Sequence, residues 1–144
     1  METQKGDLTD SYQPSSHLDI MPKGNVRSLP IDVSILVPST RYDRRVSRKE
    51  FSKRVHETSR FMAKAFGGDT TILAHGGYIS GSGKEITEDV ANVNASMTQS
   101  QFEDNKHKLA LFIKEKLKEW KQETIAYKVE NDLKIYPKKL RKVI

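Results

Sequence analysis

The feature that most constrains this chain is the order in which two hydrophobic periods follow one another between Ile31 and Glu130. Ile31, Val33, Ile35 and Val37 alternate with polar Asp32 and Ser34, the period-two pattern of a half-buried strand, and Pro38 ends it. A polar, basic loop spans residues 39–46. Ser47 and Glu50 then have the spacing of a capping box, in which a serine hydroxyl accepts a free backbone N–H and a glutamate reaches back to the cap. Phe51, Val55, Thr58, Met62 and Phe66, with Phe61 and Ala65 beside them, form one apolar stripe at helical spacing. Gly67-Gly68 ends that helix, because glycine readily takes the left-handed conformation just past a C-terminus.

The same alternation of periods then repeats. Thr70 to His75 reads as a strand, and Gly76 to Gly83 as a glycine-rich connection. From Ile86 to Met97 a second alternating stretch puts Ala91, Val93, Ala95 and Met97 toward a core and Glu88, Val90, Asn92 and Asn94 on the opposite face. A second helix, with Ser100 and Glu103 at capping spacing, carries the stripe Phe102, Leu109, Phe112, Ile113, Leu117 and Trp120. Thr124 to Glu130 supplies the last main strand, with Ile125, Tyr127 and Val129 inward, and Asn131-Asp132 turns into a short edge strand from Leu133 to Tyr136. The expected fold is α+β: a ferredoxin-like β-α-β-β-α-β two-layer sandwich, an antiparallel sheet with two helices on one face. Its other face must meet solvent, a ligand or another subunit. A homo-oligomer is expected, as a dimer or trimer.

With 144 residues there is room for one such domain, from 31 to 136. Residues 1–30 hold three of the five prolines and no sustained periodicity, so they read as a flexible leader; residues 137–144 read as a basic tail. No run approaches the roughly 20 apolar residues of a membrane span, and the polar stretch from Met1 to Asp10 gives no expectation of a secretory signal. Zero cysteines exclude disulfides and thiolate metal sites and fit a reducing cytoplasm. The four histidines, His17, His56, His75 and His107, lack ligand spacing, so no metal is expected. A net charge of +6 raises nucleic-acid binding as a secondary reading, through the cluster running from Arg41 to Arg54. Lysines between Lys106 and Lys121 alternate with acidic residues and read as a solvated face.

Chemistry is concentrated between His75 and Glu88. Four glycines there let backbone N–H groups approach a ligand closely. Gly83-Lys84 is not the end of a phosphate loop, since Tyr78 stands where a glycine is needed and Glu85 replaces the magnesium-binding hydroxyl. Glycines alone fit a long hairpin connection equally well. Glu88 is more informative: buried on a strand face, its carboxyl would be pushed toward the neutral form or would need a cation. No Ser-His-Asp or Cys-His set is available. His75 and His56 read as packing or surface residues, Trp120 as a core anchor and Gln122 as a helix-end cap.

Taken in order, Ile35-Leu-Val37, Gly77-Tyr78, Glu88-Asp89 and the run Trp120-Lys-Gln-Glu-Thr-Ile-Ala-Tyr-Lys128 resemble the phage S-adenosylmethionine lyases, which help phages evade restriction. The likeness spans residues 31–128, and the same skeleton is similar to an uncharacterised bacterial family. The lyase resemblance implies a cytoplasmic homotrimer with sites between subunits. It also implies S-adenosylmethionine as substrate, cleaved to methylthioadenosine and homoserine lactone when its own carboxylate attacks the γ-carbon. No metal, cofactor or covalent nucleophile is implied; positioning and a suitable field suffice. Carried over, Glu88 is the essential acid near the substrate's charged end, Tyr78 lines the site, and Gly77 and Asn92 are substrate-binding positions. A non-catalytic oligomeric module that binds a small molecule or blocks a host protein is the alternative.

Overall fold

The computed structural model describes residues 20–138. The first part of the leader, including Leu18, and the basic tail from Lys139 onward lie outside the described residues. Strand β1 (Ile31–Pro38) is followed by a two-rung hairpin, β2 (Thr40–Arg41) and β3 (Arg44–Arg45), inside what the sequence presents as a loop. Helix α1 (Arg48–Phe66), β4 (Thr70–Ile79), β5 (Glu85–Met97), α2 (Gln99–Glu119), β6 (Ile125–Val129) and β7 (Asp132–Tyr136) complete the fold. The main sheet is ordered β4-β5-β1-β6-β7, and every pairing is antiparallel. With β7 left aside, the four main strands stand in the order last, first, third, second. That is the ferredoxin-like arrangement, and the α+β expectation holds.

The core lies between the two helices and one sheet face. Val33, Ile35 and Val37 of β1 and Ala91, Val93, Ala95 and Met97 of β5 are buried against Met62 and Phe66 of α1 and Leu109 and Ile113 of α2. Phe61 and Phe112 stack between the helices with ring centroids 4.3 Å apart. Gly67 takes φ +92° and donates its N–H to Ala63 at 2.8 Å, closing α1 as its glycine pair predicts.

Four local expectations need correction. At the start of α1, Ser47 Oγ accepts from the Glu50 N–H at 3.0 Å, but the Glu50 carboxylate turns to Arg54 instead of returning to the cap. Helix α2 begins one turn-fragment earlier than Ser100: Thr98 and Gln101 form the complete capping box. Thr98 follows the last strand residue, Met97, so it is the first position free to take the cap conformation. Strand β4 does not stop at His75. It pairs with β5 through Gly76, Gly77 and Tyr78 to Ile79, leaving only residues 80–84 as the turn. Ladder hydrogen bonds outweigh the entropy glycine loses in a strand, about 0.5–1 kcal/mol per residue. Finally, Lys116 is not on a solvated face; it is 7% exposed and sits between Glu119 at 3.0 Å and Glu57 at 3.5 Å.

Because β1 ends opposite Val90, the hairpin made by the outer halves of β4 and β5 overhangs the sheet with no strand beside it. The side of β5 that is buried changes accordingly. From Ala91 to Met97 the helix-facing residues are buried, whereas near the turn Ile86 and Glu88, on the opposite face, are buried.

Candidate active site at the end of the first strand

Glu88 sits where this overhang begins. It is 6% exposed, and its Oε1 accepts from the Ser39 N–H at 3.1 Å and from Thr40 Oγ1 at 3.2 Å. Among the described residues no hydrogen bond reaches Oε2. Burial pushes the Glu88 carboxyl above the usual carboxylate range, more than the Ser39 and Thr40 donors and the charges of Arg54 and Arg45 pull it down.

The backbone that holds Glu88 is itself held by Arg54. The sequence places Arg54 in an i, i+4 row with Thr58, Met62 and Phe66, and all four are buried. Its Nη1 donates to the carbonyls of Pro38 at 2.9 Å and Thr40 at 2.8 Å, its Nη2 to Trp120 at 3.4 Å, and its Nε to Glu50 at 3.1 Å. The guanidinium lies 5.5 Å from the centre of the Trp120 ring. Gln122 adds a further clamp, its Nε2 donating to the carbonyls of Thr40 and Trp120. Thus the segment following β1 is pinned by α1 and by the residues just past α2 before it meets Glu88. The basic cluster read from the sequence is split as a result. Arg54 is internal, Arg45 pairs with Asp89 at 3.1 Å, and Arg41, Arg44, Arg48, Lys49 and Lys53 remain exposed.

A pocket of about 440 Å³ opens on the helix-free face between the overhanging hairpin and the start of β6. Leu36, Val90, Ala126 and Ile135 give it an apolar floor, and its ionisable groups are Glu88, Tyr78, Glu123 and Lys138. Gly76 is opposite Glu88 in register, and a Cβ there would meet only Val90, at 4.0 Å. The missing side chain leaves the carboxylate open to the pocket. Tyr78 pairs with Ile86, so the hairpin makes it a diagonal neighbour of Glu88. Its hydroxyl donates to the Tyr42 carbonyl at 3.4 Å, and its phenol is pushed above the usual range, first by burial and then by Glu88.

Of the expected site residues, Glu88, Tyr78 and Gly77 all line this pocket. Asn92 lies outside its wall, further along the same face of β5, where its Oδ1 is buried without a partner among the described residues. Sequence reasoning gave Glu123 no role, read Lys138 as part of the basic tail and read the scaffold residue Arg54 as the end of a basic surface cluster. Only Arg54 left a signal, an arginine in register with a buried ridge. Asp89, the other half of the acidic pair, is solvent-facing and binds Arg45 and His75. Among the described residues, no group of three or more histidine or acidic side chains could hold a metal ion, and no helix is long and apolar enough to cross a membrane.

Two solved structures of a phage SAM lyase share this fold. One, in complex with S-methyl-5'-thioadenosine, superposes with a TM-score of 0.56 at 18% identity, over 73% of this chain and 87% of that one. The other, in the apo state, gives 0.52 at 17% identity, over 73% and 86%. No family model and no curated protein matches the sequence. The chain therefore has a SAM lyase-like fold, with identity low enough that the likeness speaks for the fold alone.

Proposed function

We propose that this chain cleaves S-adenosylmethionine to methylthioadenosine and homoserine lactone. The observation that carries the reading is Glu88, a carboxylate buried on the wall of an apolar-floored pocket with one oxygen unclaimed, in a SAM lyase-like fold. In the reaction a carboxylate oxygen of the substrate forms a bond to its own γ-carbon. The bond from that carbon to sulfur breaks, and its electron pair stays on sulfur, giving a neutral thioether. No proton is transferred and no outside nucleophile enters. The protein's task is to fold the amino-acid arm into attacking geometry and to surround it with little water. A sulfonium and a carboxylate neutralise each other along this path, so a low-dielectric floor favours the transition state over the separated charges. Glu88 supports the geometry by attracting the α-ammonium, which keeps its charge throughout. Tyr78 and Gly77 supply the wall beside it.

Incubation of the purified protein with S-adenosylmethionine tests the reading directly. Methylthioadenosine and homoserine lactone should appear in equal amounts, well above a protein-free blank. No product at protein concentrations matching the substrate would overturn it.

The reading also includes a homotrimer closed over the helix-free face. Ile72, Leu133 and Ile135 are 59%, 50% and 55% exposed on that face, and Ile72 pairs with Asn92, whose Oδ1 has no partner among the described residues. Sedimentation should therefore give the mass of a trimer, and Ile135→Glu should shift it to the monomer with the helices intact by circular dichroism. A wild-type chain that sediments as a monomer at micromolar concentration would exclude the assembly.

A further inference from the structure

The turn at residues 80–84 reaches across the end of β1 to the far side of the pocket. Gly81 donates its N–H to Glu123 Oε1 at 3.3 Å. Glu123 lies between α2 and β6, and β5 and β1 separate β6 from β4 in the sheet. The contact is close: a Cβ on Gly81 would stand 2.9 Å from Glu123 Oε2. Two other contacts, Lys84 to Asp43 at 3.5 Å and Tyr78 to the Tyr42 carbonyl, tie the same hairpin to the β2–β3 turn. Glu123 is also the second carboxylate of a pocket whose one lysine is Lys138.

We infer that Glu123 is a positioning and specificity residue that latches the hairpin tip over the pocket and makes the pocket prefer a ligand with two separated positive centres. The ligand class rests on the lyase reading, whereas the latch does not. With Glu88 on one wall and Glu123 on the other, a ligand bearing both a sulfonium and an ammonium has a counter-charge for each. Methylthioadenosine, lacking both, gains nothing from either. Cleavage and the departure of the ammonium-bearing lactone thus remove the ligand's hold on the closed pocket, which favours product release.

Two substitutions separate the latch from the charge. Glu123→Gln keeps an acceptor for Gly81 and loses the charge; Gly81→Ala pushes the carboxylate aside and keeps its charge. The probes are methylthioadenosine and decarboxylated S-adenosylmethionine, a dication without the attacking carboxylate that therefore cannot lactonise. Glu123→Gln should weaken the dication about tenfold and leave methylthioadenosine within about twofold, as expected for loss of one charged contact. Hydrogen exchange of the residue 81 amide should be unchanged in Glu123→Gln and about tenfold faster in Gly81→Ala, which should weaken both ligands alike. Equal weakening of both ligands by Glu123→Gln, or no weakening, would overturn the specificity role, as would a wild type that binds neither probe. Equal exchange at residue 81 in all three proteins would overturn the latch. A wild type that binds the dication yet forms no methylthioadenosine from S-adenosylmethionine sinks the lyase reading and leaves this inference standing.

Discussion

Glu88→Gln should lower turnover of S-adenosylmethionine by about a hundredfold or more, the scale seen when one preorganised electrostatic partner is removed from a dry site, while the fold loses no stability at neutral pH. The second half follows from linkage. The folded chain holds the Glu88 proton more tightly than the unfolded chain, because burial raises the carboxyl's pKa. Its contribution to stability is therefore fully present below the ordinary carboxylate range and is lost as pH rises through the raised value. At neutral pH the ionised group is carried at a cost. Glutamine removes that cost and retains an oxygen for the Ser39 N–H and the Thr40 hydroxyl. Thermal melts should show the variant at least as stable as wild type at pH 7, with the advantage vanishing as pH falls into the carboxylate range. Activity of the wild type should fall on the acid side with a midpoint above that of an ordinary glutamate. A variant that melts well below wild type at pH 7 would show that the carboxylate is structural, and an active one would remove Glu88 from the site.

Arg54→Ala should be the most destabilising single change in the molecule, at about 3–5 kcal/mol. The side chain is 2% exposed and serves the carbonyls of Pro38, Thr40 and Trp120 at once. Its removal strands buried acceptors and opens a cavity beneath Trp120. Against a typical total of about 5–15 kcal/mol, a loss of that size brings the chain near unfolding. Arg54→Lys keeps the charge but replaces a planar fork by a single ammonium, which cannot address three carbonyls on two segments. Lysine should therefore recover less than half of the loss in a urea titration, and it remains measurable if the alanine variant is insoluble. A loss below about 1 kcal/mol for Arg54→Ala would show that the three carbonyls find water or other donors.

The element order was legible because each amphipathic segment has an unambiguous period, and Glu88 and Tyr78 could be placed together because a hairpin brings them together. The extent of β4 was not. Gly76 and Gly77 carry the composition of a loop, and only the partner strand, with Thr87 and Glu88 opposite them, keeps them extended. Arg54 was hidden for a related reason. Among neighbours such as Arg48, Lys49 and Lys53 it has the charge of a surface residue, and its burial depends on three carbonyls supplied by distant segments. Glu123 and Lys138 reach the pocket through the lateral order of the strands, which no local pattern encodes.

The chain has one tryptophan, Trp120, 1% exposed and stacked under the Arg54 guanidinium. Its carbonyl is shared by Arg54 and Gln122, the two side chains that brace the segment supporting Glu88. In effect a single indole lies beneath the floorboards of the pocket and none at its door. Excited at the red edge of its band, where the five tyrosines do not absorb, this indole reports the packing of the support layer alone, so that a ligand which merely rests on the rim stays dark while one that tightens the floor is seen.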